Sequence, residues 1–210
     1  MGVAERKERE KVQRRNSIVD AAEKVFFKRG IEDASMDEVA QEAELSKGTL
    51  YLYFKSKDEL YKAIVIRGFI ALKRRLKEAV NAKESGLLNV RSISTAYIDF
   101  SRKHLGYFNA ILHYQNDAFK KITDENSLQS LEGGNAVIQV LINAIHKGIE
   151  DGSISASVNP VEAAFVLWSQ ITGLLQVIQR KMGIITFHYK IKPDDLLQNY
   201  FELLEHSLKA

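Results

Sequence analysis

The feature that most restricts the fold of this chain is its shortage of residues that break helices. Its 210 residues include two prolines, Pro160 and Pro193. Asn159 precedes the first proline, and Asp194 and Asp195 follow the second. Both prolines therefore fit the first turn of a helix, where a missing N–H costs no hydrogen bond. No run alternates apolar and polar residues as a half-buried strand does, so the sequence predicts an all-α fold.

Three short-range signals divide the N-terminal part of the chain into helices. The first helix is predicted to start within residues 8–14 and to end at Gly30, because glycine suits the residue after a helix. Ser35 and Glu38 form a capping box that opens a second helix. Ser46 is the predicted N-cap of a third helix, which leaves a turn of about three residues between the second helix and the third.

A long fourth helix is predicted over residues 57–83, opened by a second capping box at Ser56 and Glu59. Gly133 and Gly134 lie inside a later predicted helix and indicate either a kink or a later start. No flexible linker is visible, and we place the domain boundary between residues 62 and 63. Beyond the long helix, five more helices are predicted, at residues 90–104, 106–117, 124–151, 160–182 and 193–208.

The segment from Ser35 to Lys57 has the layout of a helix-turn-helix, in which the second short helix enters the major groove of DNA. Leu50 and Phe54 are four residues apart and are predicted to face the core. The exposed side then carries a lysine, a glycine, a threonine and two tyrosines: Lys47, Gly48, Thr49, Tyr51 and Tyr53. Lysine and tyrosine donate to phosphates or bases, and glycine lets the backbone approach the groove. Each residue alone could be structural, but the set indicates DNA binding.

From Ile18 to Ile64 the chain resembles the N-terminal domain of TetR-family (tetracycline-repressor-like) regulators. The resemblance rests on Ala21-Ala22, Phe26, Gly30, the Ser35 cap, Val39-Ala40 and the run from Ser46 to Lys57. It implies that the DNA contacts come from Ser35, Ser46, Lys47, Gly48, Thr49, Tyr51, Tyr53 and Lys57. Glu44 departs from the family pattern, which often has glycine in this turn. We expect some backbone strain there, and the charge of Glu44 would oppose nearby phosphates.

The resemblance also implies that residues 63–210 form a helical domain that binds an effector and dimerises, making the chain a ligand-released repressor of a palindromic operator. Apolar stripes on the helices at 160–182 and 193–208 could form a four-helix interface between two chains; alternatively, they fill the chain's own core. A small hydrophobic effector is expected in a mostly apolar pocket. Its predicted lining is Phe100, His104, Tyr107, Phe108, Ile111, Leu112, Asn135, Gln139, Trp168 and Gln170.

The sequence gives little support for an enzyme or a metal-binding protein. The five histidines show no metal-binding spacing, and no nucleophile elbow or phosphate-binding loop is present. We therefore predict no enzyme, no metal site and no cofactor. The competing hypothesis is a helical module that binds a protein or a small molecule but no DNA.

The charge of the first residues, the length of the uncharged stretches and the cysteine content indicate where in the cell the protein is located. Residues 6–15 hold six basic and two acidic side chains, which is typical of a nucleic-acid-binding arm but, taken alone, more often of a solvated terminus. This charged start does not resemble a signal peptide. The longest uncharged stretch, residues 163–179, is too short and too polar for a membrane span. The chain has no cysteine, and we expect a cytoplasmic protein without membrane contact.

Overall fold

The computed structural model describes residues 2–117 and 125–209, and that part of the chain contains helices and no strands. The all-α prediction is confirmed. The helices are α1 (Val3–Arg29), α2 (Met36–Glu42), α3 (Lys47–Tyr53), α4 (Lys57–Glu78), α5 (Gly86–Lys103), α6 (Leu105–Asp117), α7 (Glu125–Glu150), α8 (Pro160–Tyr189) and α9 (Pro193–Leu208).

Several helix boundaries differ from those predicted. Helix α1 begins at Val3 and not within residues 8–14, because glutamate, lysine and arginine are good helix formers that need no apolar stripe. Helix α4 ends at Glu78 and not at residue 83. Helix α5 begins at Gly86, ahead of the predicted residue 90, because the Ser85 side chain accepts a hydrogen bond from the Leu88 N–H.

The two helices that contain internal glycines also depart from expectation. Helix α7 passes through Gly133 and Gly134 without a break. A methyl group on Gly133 would lie 3.0 Å from Cβ of Phe69, so this glycine permits close packing and marks no helix start. Helix α8 extends to Tyr189, beyond the predicted residue 182, because it meets no stop until Lys190 adopts a left-handed conformation.

Packing divides the chain into two compact units. The first unit comprises residues 1–70 and 105–133, and the second comprises residues 71–104 and 134–210. Helix α4 contributes to both, since its residues 57–70 belong to the first unit and residues 71–78 to the second. The predicted boundary between residues 62 and 63 divides the chain by function, and it stays a prediction.

Each unit has its own apolar core. In the first unit, Ile18, Leu50, Phe54, Leu60 and Ile64 are completely buried. In the second unit, the buried side chains include Val90, Ile145, Ile154, Leu167 and Leu204. Burial of side chains of this size is the main source of stability for a helical fold.

Helix α8 is long and apolar enough to cross a membrane by length and composition, with a mean hydropathy of 1.5 over its most apolar stretch. It nevertheless buries Ala164, Leu167, Ile171 and Leu175 in the second unit, where α8 packs against α5 and α9. Core helices of soluble proteins pass the same test. Only 28% of that stretch is buried, so much of the helix surface is unpartnered in a single chain.

Candidate functional site

The helix-turn-helix is built as predicted. The Ser35 hydroxyl accepts a hydrogen bond from the Glu38 N–H, and the Glu38 carboxylate accepts one from the Ser35 N–H, which completes the capping box of α2. The Ser46 hydroxyl accepts from the Thr49 N–H and caps α3. Leu50 and Phe54 are completely buried. These two anchors fix α3 on the core and determine which of its sides faces outward.

The turn between α2 and α3 contains the strain expected at Glu44. This residue has a φ of 55°, in the left-handed region that glycine adopts without penalty. Backbone hydrogen bonds hold the turn closed, from the Glu44 N–H to Gln41 and from the Leu45 N–H to Ala40. A non-glycine residue in this conformation costs about 1–2 kcal/mol, which the surrounding contacts must offset.

The outward side of α3, which we call the reading face, carries Lys47, Gly48, Thr49, Tyr51 and Tyr53. Lys47, Gly48 and Tyr51 are exposed, and Thr49 and Tyr53 are half-buried. A methyl group built on Gly48 would meet nothing nearer than the Ser46 hydroxyl, at 3.9 Å. The structure therefore places these predicted DNA contacts together on one open surface, with an unobstructed stretch of backbone among them.

Two predicted DNA contacts already have partners within the chain. The Lys47 ammonium lies 2.7 Å from a carboxylate oxygen of Asp37 at the start of α2, and this hydrogen bond and charge raise the pKa of Lys47 above its usual value. Both groups are largely exposed, so the pair is weak and can exchange for a phosphate or a guanine. The Ser35 hydroxyl also donates to Glu38.

Lys57 has a role that its sequence position did not suggest. Its ammonium nitrogen lies 2.7 Å from the carbonyl oxygen of Ile31, 3.1 Å from that of Glu32 and 3.0 Å from that of Ala34. An ammonium group has three N–H donors, so all of them are used within the chain. Lys57 therefore holds residues 31–34, the loop that precedes the N-cap residue Ser35. Its contact with a DNA phosphate stays a prediction, and such a contact would compete with these carbonyls.

Replacing Lys57 by methionine should lower the free energy of unfolding by about 2 kcal/mol, because it removes charge-assisted hydrogen bonds and keeps most of the aliphatic stem. Denaturation in urea measures the loss. Lys55→Met is the matched control, since the exposed Lys55 ammonium donates to one carbonyl, that of Tyr51, and should change stability by less than about 0.5 kcal/mol. Equal losses in the two variants would show that the three-carbonyl contact contributes nothing.

The N-terminal arm is a helical continuation of α1. Lys7, Lys11 and Arg14 recur at i, i+4 and i+7 on one helical face, and all three are exposed. Within residues 2–117 and 125–209 these three side chains make no ion pair. The guanidinium of Arg15 lies 4.6 Å from the centre of the Phe54 ring, at the end of α3. The arm thus presents positive charge from α1, and the Arg15 side chain of this helix contacts Phe54, the residue that ends α3.

An ionic cluster joins α1, α4 and α6 inside the first unit. The Arg67 guanidinium lies 2.6 Å from an Asp20 oxygen and 3.2 Å from a Glu23 oxygen. The Tyr107 hydroxyl donates to that same Glu23 oxygen at 2.8 Å. Burial, together with the Glu23 carboxylate, raises the pKa of Tyr107 to about 12. The cluster joins α1 and α4 to α6. It also engages the hydroxyl of Tyr107, a residue that was predicted to contact an effector.

The ten predicted effector residues are divided between the two units. Tyr107, Phe108, Ile111 and Leu112 belong to the first unit, where Phe108 and Ile111 are buried core residues. The remaining residues belong to the second unit, where Phe100 is buried against the ring of His104. The three polar candidates are exposed at the surface: Asn135, Gln139 and Gln170. Their contact with an effector stays a prediction.

The second unit contains a small cavity of about 30 Å³. Of the predicted residues, Trp168 lines it. Its exposed wall is almost entirely apolar, and the described residues that line it are Leu76, Ile93, Ser94, Tyr97, Val137, Ile138, Leu141, Leu167, Trp168, Ile171 and Tyr200. These residues come from α4, α5, α7, α8 and α9. Periodicity within one helix shows which residues are apolar, but it cannot show which helices meet.

No group of three or more potential metal ligands occurs in the described part of the chain. The exposed side of α3 carries the hydrogen-bond donors of Lys47 and Tyr51, which suit a partner rich in hydrogen-bond acceptors.

Comparison with known proteins points to the same motif. Residues 18–64 match the family model for bacterial regulatory proteins of the tetR family. YhgD of Bacillus subtilis, described as an uncharacterised HTH-type transcriptional regulator, is 27% identical over 164 residues, which covers 78% of this chain and 83% of YhgD. The transcriptional repressor NemR of Escherichia coli K12 is 26% identical over 163 residues, covering 76% of this chain and 80% of NemR.

The likeness extends to solved structures along the whole chain. The transcriptional regulator FadR of Bacillus subtilis, solved with stearoyl-CoA, superposes with a TM-score of 0.68 at 17% identity, covering 91% of this chain and 98% of FadR. At this identity the superposition shows the fold. The matched relatives regulate transcription and are not enzymes. Residues 18–64 therefore form a helix-turn-helix of the type found in bacterial regulatory proteins of the tetR family.

Proposed function

We propose that the chain is a ligand-responsive transcriptional repressor that binds a palindromic operator as a homodimer and releases it when a small hydrophobic effector binds. The observation that carries this proposal is the reading face. A seven-residue helix is held by two buried anchors, Leu50 and Phe54, and exposes a lysine, a glycine and a tyrosine around an open stretch of backbone.

Each member of the reading face has a chemical role at the groove. Lys47 exchanges Asp37 for a guanine or a phosphate, and the methyl group of Thr49 packs on thymine. Tyr51 and Tyr53 donate hydroxyl groups to phosphates, while Gly48 keeps the approach clear. Ser35 and Ser46 lie at the N-termini of α2 and α3, where free N–H groups and the helix dipole favour an anion.

The homodimer is proposed to form through α8 and α9. Phe165 and Val166 on α8 are 46% and 54% exposed, and Leu203 on α9 is 65% exposed. Large apolar side chains left in water favour association. Part of the predicted stripes fills the second unit's own core instead of an interface: Ile171, Leu175, Tyr200, Leu204 and Leu208. A two-fold dimer presents two reading helices to two half-sites of a palindrome.

The effector is proposed to enter the second unit at the cavity around Trp168. Leu76 of α4 forms part of the wall of this cavity. Helix α4 begins at Lys57, shortly after α3 ends at Tyr53. A ligand that displaces Leu76 therefore acts on the helix that follows the reading helix in the chain. Because coupling free energies are reciprocal, operator DNA must weaken effector binding by the factor that effector weakens DNA binding. The stearoyl-CoA bound by FadR supports an effector with an apolar part.

The alternative, a helical ligand-binding module without DNA binding, leaves the open reading face without a purpose. The NemR repressor supports repression as the mode of control. A repressor of this kind acts where the chromosome is, so we propose a cytoplasmic location.

Selection from a randomised duplex library tests the proposal without knowledge of the natural operator. We expect the full-length chain to enrich one two-fold symmetric sequence, whose half-site centres lie about one or more helical turns apart. Two chains should bind each duplex, as measured by the mass of the complex. Enrichment of no motif would contradict DNA recognition, whereas a single half-site bound by one chain would contradict the dimer.

A further inference from the structure

Tyr200, which lines the cavity in the second unit, carries a buried polar atom that has no hydrogen-bond partner among the described residues. The Tyr200 side chain is 7% exposed, and its hydroxyl makes no hydrogen bond. Within residues 2–117 and 125–209, no other buried side-chain nitrogen or oxygen is left unpaired in this way. Such a group costs about 1–3 kcal/mol when buried without a partner, so its presence calls for an explanation.

Ser94 lines the same cavity and could accept a hydrogen bond from Tyr200, but the two hydroxyl groups do not meet in hydrogen-bond geometry. The Ser94 hydroxyl donates to the carbonyl of Val90. The Tyr97 hydroxyl lies 3.0 Å from that of Thr172, and these two satisfy each other. Burial raises the pKa of Tyr200 to about 12, and the nearby Ser94 opposes this rise. The Tyr200 hydroxyl therefore stays protonated near neutral pH and keeps a donor available.

The rest of the wall restricts what can meet this donor. Among the residues that the structure describes, no lysine, arginine, histidine, aspartate or glutamate lines the cavity. A charged group brought there would lose its hydration and find no counter-charge, which costs several kcal/mol. A carboxylate or a phosphate is thus a poor occupant. A carbonyl or hydroxyl oxygen on an apolar body is a good one, because it accepts one hydrogen bond and buries the remainder against leucine, isoleucine and valine.

We propose that Tyr200 is the specificity-determining residue of the effector site, and that it selects an uncharged, apolar ligand with one hydrogen-bonding oxygen. This inference rests on the proposed effector-binding function and adds the chemical class of the ligand. A water molecule or two fill about 30 Å³, whereas a ring the size of benzene needs about 150 Å³. Ligand entry therefore parts the walls of the cavity, and Leu76 of α4 is one of the side chains that must move.

Three small aromatic probes of nearly equal size separate the possibilities: toluene, benzyl alcohol and benzoate. Trp168 is the single tryptophan of the chain and lines the cavity, so its fluorescence reports occupancy directly. We expect benzyl alcohol to bind the full-length chain about tenfold more tightly than toluene, a difference of about 1.4 kcal/mol. Benzoate should bind more weakly than either.

Tyr200→Phe removes the hydroxyl and keeps the ring. In this variant the tenfold preference should fall to about one, while toluene affinity is unchanged. Its melting temperature without ligand should rise by a few degrees, because an unpaired polar group has been removed. Tyr61→Phe is the matched control, because the buried Tyr61 hydroxyl of the first unit donates to the carbonyl oxygen of Ala110 at 3.0 Å, outside the cavity. It removes a paired hydroxyl, so it should lower the melting temperature and leave the preference for benzyl alcohol intact.

The proposal is overturned if the preference survives in Tyr200→Phe, if benzoate binds best, or if none of the probes changes Trp168 fluorescence. A melting temperature lowered as much by Tyr200→Phe as by Tyr61→Phe would also overturn it, since the Tyr200 hydroxyl would then have a partner. These measurements contain no DNA. A chain that selects no operator but shows the expected probe preferences therefore contradicts the proposed repressor and leaves the ligand class standing.

Discussion

Replacing Gly48 by leucine should weaken operator binding by about 100-fold, or about 2.7 kcal/mol, and yet make the chain more stable. Apart from its chain neighbours and the backbone of α3, the described residue nearest to a Cβ atom built on Gly48 is Ser46, whose hydroxyl lies 3.9 Å away, and Gly48 is exposed, so we expect the fold to accept leucine. Leucine is a better helix former than glycine by close to 1 kcal/mol. On the DNA side, the same side chain stands between the backbone of α3 and the floor of the groove.

Two measurements are needed for Gly48→Leu, urea denaturation and a titration of labelled operator. Gly183→Leu is a matched control, because Gly183 lies inside α8 with nothing within 4 Å of its side-chain position. It should show a similar gain in stability. Operator affinity retained in Gly48→Leu would mean that α3 does not enter the groove by this face.

Replacing Gly86 by alanine should destabilise the second unit by 3 kcal/mol or more, on the order of the largest overpacking effects. The added methyl group would lie 2.0 Å from the backbone nitrogen of Gly148, 2.2 Å from its Cα and 2.6 Å from the carbonyl oxygen of Ala144. All three atoms are backbone, so no side-chain rotation can relieve the clash. Helices α5 and α7 would have to separate.

Denaturation followed by Trp168 fluorescence measures this loss, because Trp168 belongs to the second unit. Gly183→Ala is the control, and the open space around Gly183 predicts a small stabilisation. A Gly86→Ala variant as stable as the parent chain would show that α5 and α7 do not cross as closely as described.

The helix-turn-helix was predictable because its signals are local. Ser35 and Ser46 cap helices whose first turns follow them immediately, and the spacing of Leu50 and Phe54 shows which side of α3 faces inward. The strain at Glu44 was predictable on a different ground, because the family that this segment resembles often has glycine in the turn, and glycine adopts a positive φ without penalty.

The contacts that sequence reasoning missed join residues far apart in the chain. Lys57 bonds to carbonyls 23–26 residues earlier, and no pattern near Lys57 indicates them. The aromatic residues between 100 and 112 were assigned to a pocket because they are concentrated in sequence. Phe100 is buried in the second unit and Phe108 in the first, and their contact with an effector stays a prediction. Tyr200 was predicted as part of the apolar stripe of α9. Whether its hydroxyl finds a partner depends on the side chains of α4, α5, α7 and α8, which line the same cavity.

The central claim is that α3 reads a specific DNA sequence, and the most direct measurement compares two duplexes. One duplex carries the selected sequence, and the other carries the same bases in scrambled order, both at about 0.15 M salt. We predict dissociation constants that differ by about 1,000-fold or more. Lys47→Ala and Tyr53→Phe should each reduce that ratio, mainly by weakening binding to the selected duplex. Equal dissociation constants for the two duplexes would contradict the account.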